Sequence, residues 1–433
     1  MSVPAAARPL DVTAGRRVGW GRRYAAWLVA AALLAALPHV VRTSAAVPVM
    51  NQMGIAVIFA LSYNMLLGQG GMLSFGHAVY FGLGGFIAAH VLNLAGRGLV
   101  WMPIPLLPLV GALGGLLFAA LYGSFSTRRA GTVFAMISLG VGEMMAASSL
   151  IFDKFFGGEE GITANRTKAP LLFGLPFTTD RQVYYLIAFW VLVSAALMYA
   201  FSRTPVGRMA NAVRDNPERA EFVGYSAAWV RYVSFCAAGF FAGLAGGLFA
   251  VNYEILTAAN MGLAASGAVL LMTYIGGIGF FIGPILGAVL FTFLQSMLSD
   301  YTPIWLLYVG LIFLGTVLFV PMGLAGVLVM HAPAWRRRRL GALVGPYAVV
   351  TLAAVVAAVG IVGLLEMVYF LVTASPAVAT RRLFWTTVAV RTWGPWLAFG
   401  ALAVVGALGV RWAGPRAAAA FAAAGRPSAG ETA

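Results

Sequence analysis

The sequence is short of charge. Of its 433 residues only 9% are Asp, Glu, Lys or Arg, while 61% are hydrophobic; a soluble globular domain carries about 25% charged residues. So little polar surface cannot cover a water-soluble fold of this length, which excludes a cytosolic enzyme. Cysteine is almost absent too. Cys236 stands alone inside an apolar run, so an intramolecular disulfide and a cysteine-clustered metal site are both ruled out. Lysine is nearly as scarce: Lys154 is followed by Phe155 and Lys168 by Ala169. A phosphate-cradling Walker A loop needs Gly-Lys-Ser or Gly-Lys-Thr, and neither lysine fits. If ATP drives this protein, another chain hydrolyses it. Nothing pairs a nucleophile with a base or sets metal ligands at a working spacing, so no catalytic residue and no metal is assigned.

What the sequence has in abundance is long apolar runs, with a mean hydropathy of +0.90. At roughly 20 apolar residues per crossing, the length accommodates about 10 to 13 spans. The runs cover residues 24–41, 48–67, 73–95, 103–125, 132–152, 183–201, 232–251, 263–279, 284–297 and 304–320, then 340–372 and 393–410. The expected fold is an all-α, polytopic integral membrane protein. A basic segment 1–23 precedes a transmembrane core over 24–330 of about ten helices. A C-terminal membrane region over 331–410 adds about two spans, and a tail covers 411–433. The first run is read as a retained span, since at this length it is long for a signal peptide and no soluble domain follows it. Trp101, Tyr301 and Trp305 fall at span ends, as aromatic interface anchors do.

The net charge of +15 would suggest nucleic acid in a soluble protein. Here its distribution is topological. With both termini in the cytoplasm, 19 of the 28 Lys and Arg residues fall on the cytoplasmic side, which the positive-inside rule favours; no nucleic-acid partner is expected. Two non-membrane segments result. Residues 153–182 are external and carry Asp153, Glu159, Glu160 and Asp180, and residues 203–231 are cytoplasmic.

The cytoplasmic segment is the most informative. Asn216 is a good helix N-cap and Pro217 suits the first helical position, where no amide donor is needed. Glu218 complements the dipole of the first turn, and Gly224 can close the helix in a left-handed conformation. The pattern predicts a helix of about two turns, too short to stand alone and therefore packed on something. On these grounds it is either an ordinary amphipathic connector or a docking element. The clusters Gly68-Gln69-Gly70-Gly71 and Gly276-Gly277-Ile278-Gly279 interrupt apolar runs. They are either tight turns or the paired broken segments that mark a transport path. Gly239, Gly243 and Gly247, and Gly111 with Gly115, form small-residue faces for close helix packing, within this chain or against a second subunit. Glu143 is an acid in the middle of a core span, where it lines a path, donates a hydrogen bond while protonated, or pairs with a partner subunit. His77 follows the first glycine break and belongs to the same polar region or to the packed core. Glu366, in the C-terminal spans, is left without a role.

The segment Ala212-Val213-Arg214-Asp215-Asn216, followed by Ala220 and Gly224, resembles the cytoplasmic coupling loop of the permeases of branched-chain amino-acid ABC importers (LivM-type). Further resemblances follow in family order: 61–77, Gly131-Thr132-Val133-Phe134 onward to Glu143, Gly157-Gly158-Glu159-Glu160-Gly161, 242–248, 276–288 and Pro321-Met322-Gly323-Leu324-Ala325-Gly326. Together they run over roughly residues 51–329. The hundred or so residues beyond Met330 depart from the family core, and 256–265 holds less proline than the pattern leads one to expect. The resemblance implies a transport subunit without enzymatic activity or a cofactor of its own, in a bacterial cytoplasmic membrane. It implies as partners a second, homologous permease, two ATPase subunits that bind ATP and Mg, and an extracytoplasmic substrate-binding protein. The substrate would be a branched-chain or hydrophobic amino acid, or a related small amide or urea. It assigns ATPase coupling to Arg214, Asp215, Asn216, Glu218, Arg219, Ala220 and Gly224. A translocation path or gate falls to Asn64, Gly68, Gly70, Gly71, Ser74, His77, Glu143, Gly276 and Gly277. The competing reading is an ion-coupled secondary transporter with Glu143 and His77 as proton carriers; such a carrier has no need of a capped cytoplasmic lever.

Overall fold

The structure, a computed structural model, describes residues 20–425 except 42, 44, 172–175, 337–340, 376–379 and 385. The basic segment before residue 20, most of the arginine run at 336–339 and the tail beyond 425 lie outside the described residues.

Helix follows helix, as an apolar chain in a bilayer requires, because only internal hydrogen bonds can satisfy the backbone there. In chain order they are α1 (Trp20–Val40), α2 (Ala46–Asn64, prolonged by a π-helical turn Met65–Gln69), α3 (Ala78–Gly96), α4 (Leu107–Ser126), α5 (Gly131–Ile151) and the single turn α6 (Asp153–Phe156). Then come α7 (Asp180–Arg203), α8 (Pro205–Asp215), α9 (Pro217–Phe222), α10 (Ala227–Tyr253), α11 (Leu263–Gly276) and α12 (Gly283–Tyr301). The remainder are α13 (Trp305–Phe319), α14 (Gly323–Arg336), α15 (Gly341–Thr373) and α16 (Trp393–Gly425). Each expected span lies on one of these helices. Among the described residues, eight helices are long and apolar enough to cross a membrane, or nine if α13 and part of α14, bent by 45° at their junction, count as one. The chain is an all-α, multi-pass membrane protein. One expected span is corrected: α11 has only 14 residues, about 21 Å of helix against a hydrocarbon core of about 30 Å. Another starts late, since 72–77 is not helical and α3 begins at Ala78.

The chain divides into two compact units, residues 1–327 and 328–433. The first is built around α10, which packs on α4, α3 and α2. The two glycine faces of the sequence answer each other within this chain. A Cβ on Gly115 would lie 2.7 Å from the Gly243 Cα, and one on Gly111 would lie 2.9 Å from the Gly247 Cα. In lipid, where apolar surface gains nothing from burial, such backbone-to-backbone approach supplies the packing energy. At the end of the bundle that holds Asn51, a short pair β1 (Ile162–Thr163) and β2 (Ile255–Leu256) runs antiparallel. Arg166 is buried there. It donates to the Val251 and Asn252 carbonyls at 3.2 and 3.1 Å and to Asp180 Oδ1 at 3.0 Å. It thereby satisfies the last carbonyls of α10, which a helix end leaves open, and ties them to the start of α7.

The second unit is a helical hairpin. α15 and α16 pack antiparallel through Ala353, Ala357 and Gly360 against Gly409, Gly406 and Ala403. Their connection carries the antiparallel strands β3 (Thr380–Leu383) and β4 (Thr386–Ala389). Glu366, buried in α15, pairs with Arg381 Nη2 of β3 at 2.6 Å, which gives that acid a structural partner.

Candidate functional site

Two helix starts with the same chemistry build the segment between α7 and α10. The Thr204 side chain accepts from the Gly207 amide at 3.2 Å and Pro205 opens α8. The Asn216 side chain accepts from the Arg219 amide at 3.0 Å and Pro217 opens α9. At the far end Gly224 adopts φ +88°, and the Tyr225 amide reaches back to the Ala220 carbonyl at 3.2 Å. The capped helix over 216–224 is therefore present. The preceding helix α8 was not expected, although Thr204-Pro205 carries the same cap-and-proline signal as Asn216-Pro217.

Ala210 and Val213 of α8, Ala220 of α9, and Ala227 and Val230 of α10 bury together. That small cluster fastens α8 and α9 to the foot of α10. This packing fixes how two of the residues assigned to coupling are placed. Ala220, 2% exposed, is turned inward and cannot touch a partner. Arg214 remains exposed but is engaged within the chain: its Nη1 donates to the Gly68 carbonyl, and its Nε reaches Asp215 Oδ1 at 3.0 Å. The outward surface of α9 instead combines Glu218, Arg219 and Glu221 with Phe222 and Val223, 91% and 68% exposed. That apolar tip was missed in the sequence, where a lone Phe-Val pair carries no periodic signal.

Arg214 leads to the break at the end of α2. The π-helical turn widens the helix so that Gly68 packs against Asn64 and the Ile278 carbonyl, which a Cβ would approach to 2.6 Å. Gly71 then turns the chain at φ +65° under the stem of Arg214, whose Cγ would lie 2.6 Å from an added Cβ. Any other residue would meet both the left-handed penalty and the arginine. Residues 72–77 run back alongside α2 without helical hydrogen bonds of their own, and side chains supply partners. The Tyr63 hydroxyl donates to the Ser74 carbonyl at 3.0 Å, the Phe75 amide to Ser138 Oγ at 3.0 Å, and the Ala78 amide to Ser266 Oγ at 3.1 Å. His77 is fully buried, 2.9 Å from Ser62 Oγ and stacked on Phe59. Unwound backbone inside a membrane protein survives only with such partners. Asn64 Oδ1, Gln69 Oε1, Ser74 Oγ and His77 Nδ1 are buried here without a hydrogen-bond partner among the described residues.

The second glycine cluster forms the tight turn between α11 and α12. Gly276 packs on the backbone of Gly283, and Gly277 on that of Met322 and Gly323. Through Gly68 and Ile278 it touches the first cluster. The structure thus brings Arg214, Asn64, Gly68, Gly70, Gly71, Ser74, His77, Gly276 and Gly277 into one junction. Glu143 is not among them. It lies on the exposed face of α5, while the opposite face of that helix, through Ser138 and Gly142, packs on Phe75 and Gly76. The proton-carrier pair of the competing reading is not assembled, because His77 is sealed inside and Glu143 faces out.

Known proteins share this chain's sequence over the same region. Residues 45–322 match the family described as branched-chain amino acid transport system, permease component. The high-affinity branched-chain amino acid transport system permease protein LivM of Salmonella typhimurium is 28% identical over 293 residues, 62% of this chain and 67% of the relative. Its namesake in Escherichia coli is 27% identical over the same length and the same shares of both chains. A probable branched-chain amino acid transport permease protein LivH of Methanocaldococcus jannaschii is 24% identical over 291 residues, 63% of this chain and 89% of its own. No solved structure matches the chain. The matched region contains the α8–α9 block, both glycine clusters and the unwound stretch, and it ends before the second unit begins. The chain belongs to the family of branched-chain amino acid transport permeases.

Proposed function

We propose that this chain is a membrane-spanning subunit of an ATP-driven importer of branched-chain amino acids, set in a bacterial cytoplasmic membrane with both termini inside. It works with a second, homologous permease, two ATPase subunits that hold ATP and Mg, and an extracytoplasmic binding protein; it holds no cofactor and performs no catalysis itself. The observation that carries this reading is the capped, buried-alanine block of α8 and α9, joined by Arg214 to the broken end of α2. Such a block moves as a unit. Docking of the Phe222–Val223 tip into an ATPase groove, with Glu218 and Arg219 on the rim, couples nucleotide-driven closure to Gly68–Gly71 and to the stretch 72–77. The four buried polar atoms between Asn64 and His77 that have no hydrogen-bond partner among the described residues give this region a reason to move, since each such group costs about 1–3 kcal/mol that a second arrangement can recover.

The test is uptake of labelled leucine by whole cells that depend on this importer. Uptake should fall when cellular ATP is depleted and persist when an uncoupler collapses the proton gradient with ATP held high. Uptake that stops with the uncoupler while ATP stays high would refute the reading.

A further inference from the structure

The unit over residues 328–433 lies beyond the family match, which ends at residue 322. Its sequence holds ten arginines and two glutamates. Seven of the arginines precede the start of α15 (Arg336–Arg339) or come late in and after α16 (Arg411, Arg416 and Arg426), and the antiparallel packing of α15 on α16 puts those two chain segments at one end of the hairpin. At the other end Arg381 is taken by Glu366 and lies over the Tyr369 ring. Arg411 and Arg416 are exposed and form no ion pair among the described residues; Glu431, in the tail, lies outside those residues. What precedes them on α16 is apolar. Leu397, Ala401, Val404, Val405 and Leu408 are exposed, and the same three- and four-residue spacing, which marks one side of a helix, leads on to Arg411, Trp412 and Arg416. Along the axis Val404 is about 10 Å and Leu397 about 21 Å from Arg411, while half of a hydrocarbon core is about 15 Å. The stripe is thus long enough for the acyl chains of one leaflet, and the guanidinium groups follow where phosphates begin. Trp393 and Trp412, both more than half exposed, are separated by about 28 Å of helix, the spacing of the two aromatic belts of a bilayer. Arg416 is held in place at this level: its Nη1 donates to the Trp412 carbonyl at 2.8 Å, and its Cζ lies 3.7 Å from the Trp412 ring centroid. A guanidinium has five N–H donors, so most remain for a ligand.

We propose that this face of α16 binds an anionic phospholipid, with its acyl chains along Val404, Val405 and Leu408 and its phosphate at Arg411 and Arg416 beside Trp412. Such a lipid supplies both parts in one molecule, hydrocarbon for the stripe and negative charge for arginines that lack a counter-ion. An acidic protein surface would meet the arginines and leave the stripe uncovered. A zwitterionic lipid brings the phosphate together with an ammonium group that the arginines repel, so the site selects a headgroup of net negative charge. The positive-inside rule accounts for basic residues at this end of a span, but not for their alignment with an exposed apolar stripe or for the seat of Arg416 on Trp412. Clusters of basic residues next to a membrane span attract anionic headgroups, and the run Arg336–Arg339, just before α15, adds to that attraction. Placement in the cytoplasmic leaflet rests on the topology given above; the headgroup preference does not depend on it.

The test titrates the full chain, in a mild nonionic detergent, with dioleoylphosphatidylglycerol or dioleoylphosphatidylcholine and reads bound lipid by native mass spectrometry. The wild-type chain should take phosphatidylglycerol in preference. Arg411→Gln with Arg416→Gln should weaken its binding by about 25-fold, at about five-fold for each arginine near a lipid surface, and leave phosphatidylcholine binding unchanged. Both residues are exposed, so thermal unfolding of this variant should match the wild type. Arg411→Lys with Arg416→Lys keeps the charge and should keep most of the preference, which holds the test open if the glutamine pair disturbs folding. Arg382→Gln with Arg391→Gln, at the other end of the hairpin, should leave lipid binding unchanged, and soluble glycerol 3-phosphate should not displace the lipid. Equal binding of both lipids by the wild-type chain would overturn the proposal, as would a preference retained in the glutamine pair or an equal loss in the Arg382–Arg391 control. Displacement by glycerol 3-phosphate would overturn it too, because the stripe would then contribute nothing. None of these readouts requires transport, so a chain that selects the lipid but supports no leucine uptake would count against the importer reading alone.

Discussion

Phe222 offers a sharp test of the coupling reading, because the structure gives it nothing to do in this chain. It closes the capped helix α9 and stands 91% exposed, beside Val223 at 68%. Burying a phenylalanine fully contributes about 1.5–3 kcal/mol, and almost all of that remains available to a partner. Replacing Phe222 with Ala should therefore weaken ATPase-subunit binding by about 10- to 150-fold, at 1.4 kcal/mol per factor of ten. The permease itself should be unaffected, since exposed substitutions shift stability by within about 0.5 kcal/mol. The assay titrates fluorescent ATPase subunit onto the permease pair in lipid nanodiscs, with thermal unfolding of the same samples in parallel. Glu218→Gln and Arg219→Gln are the companions: as rim charges they should alter the salt dependence of binding more than its strength. Unchanged affinity in Phe222→Ala would refute the docking role of the tip. An affinity loss matched by a fall in melting temperature would show instead that the residue supports the fold.

Four further outcomes follow from the geometry. Gly224→Ala forces a Cβ into φ +88° at a cost of about 1–2 kcal/mol, and should lower uptake without changing binding-protein affinity. Asp215→Asn should lower uptake likewise yet leave stability unchanged, because its pair with Arg214 is largely exposed and such pairs contribute little. Ser138→Ala removes the acceptor of the Phe75 amide, and a buried donor left unpaired costs about 1–3 kcal/mol, which should appear as a lower melting temperature in detergent. Gly246→Ala places a Cβ on the Phe81 carbonyl; overpacking of about 1–3 kcal/mol should reduce the amount of folded protein recovered from membranes, and normal recovery would show that α3 and α10 can move apart.

Much of the fold was legible because lipid leaves few options. Runs of apolar residues become helices wherever they occur, and Asn216, Pro217 and Gly224 act locally, so their cap needed no knowledge of the rest. What the sequence left open were directions. A helix that is apolar on every side has no polar face to fix its rotation, so nothing in residues 131–151 says that Glu143 faces out and Ser138 faces in. The resemblance assigns Arg214 to coupling without saying what it touches in this chain, where the glycine at position 71 opens a bed for its stem and the Gly68 carbonyl takes its guanidinium. The unwound stretch 72–77 was hidden for a related reason. Its stability comes from Tyr63, Ser138 and Ser266, residues that are near in space and remote or silent in sequence.

These directions matter because together they form a mechanical series. Ala220 fastens α9 to α8, Arg214 fastens α8 to Gly68 and Gly71, and Ser138 and Gly142 fasten the stretch beyond them to α5. Several of these links join a side chain to a backbone or a backbone to a glycine, and long flexible side chains are few among them. Contacts of that kind are stiff, since a packed interior transmits displacement and does not absorb it. A stiff series is useful only if something along it has two arrangements, which is the physical content of coupling between distant sites. The stretch from Asn64 to His77 is the place for it. It is the point where the α-helix is already opened into a π turn and where four buried polar atoms have no partner among the described residues. Its hydrogen bonds run to individual side chains that can be exchanged one at a time. On the proposed reading the lever need not unfold anything to move α5; it shifts a segment whose helical bonds are already broken.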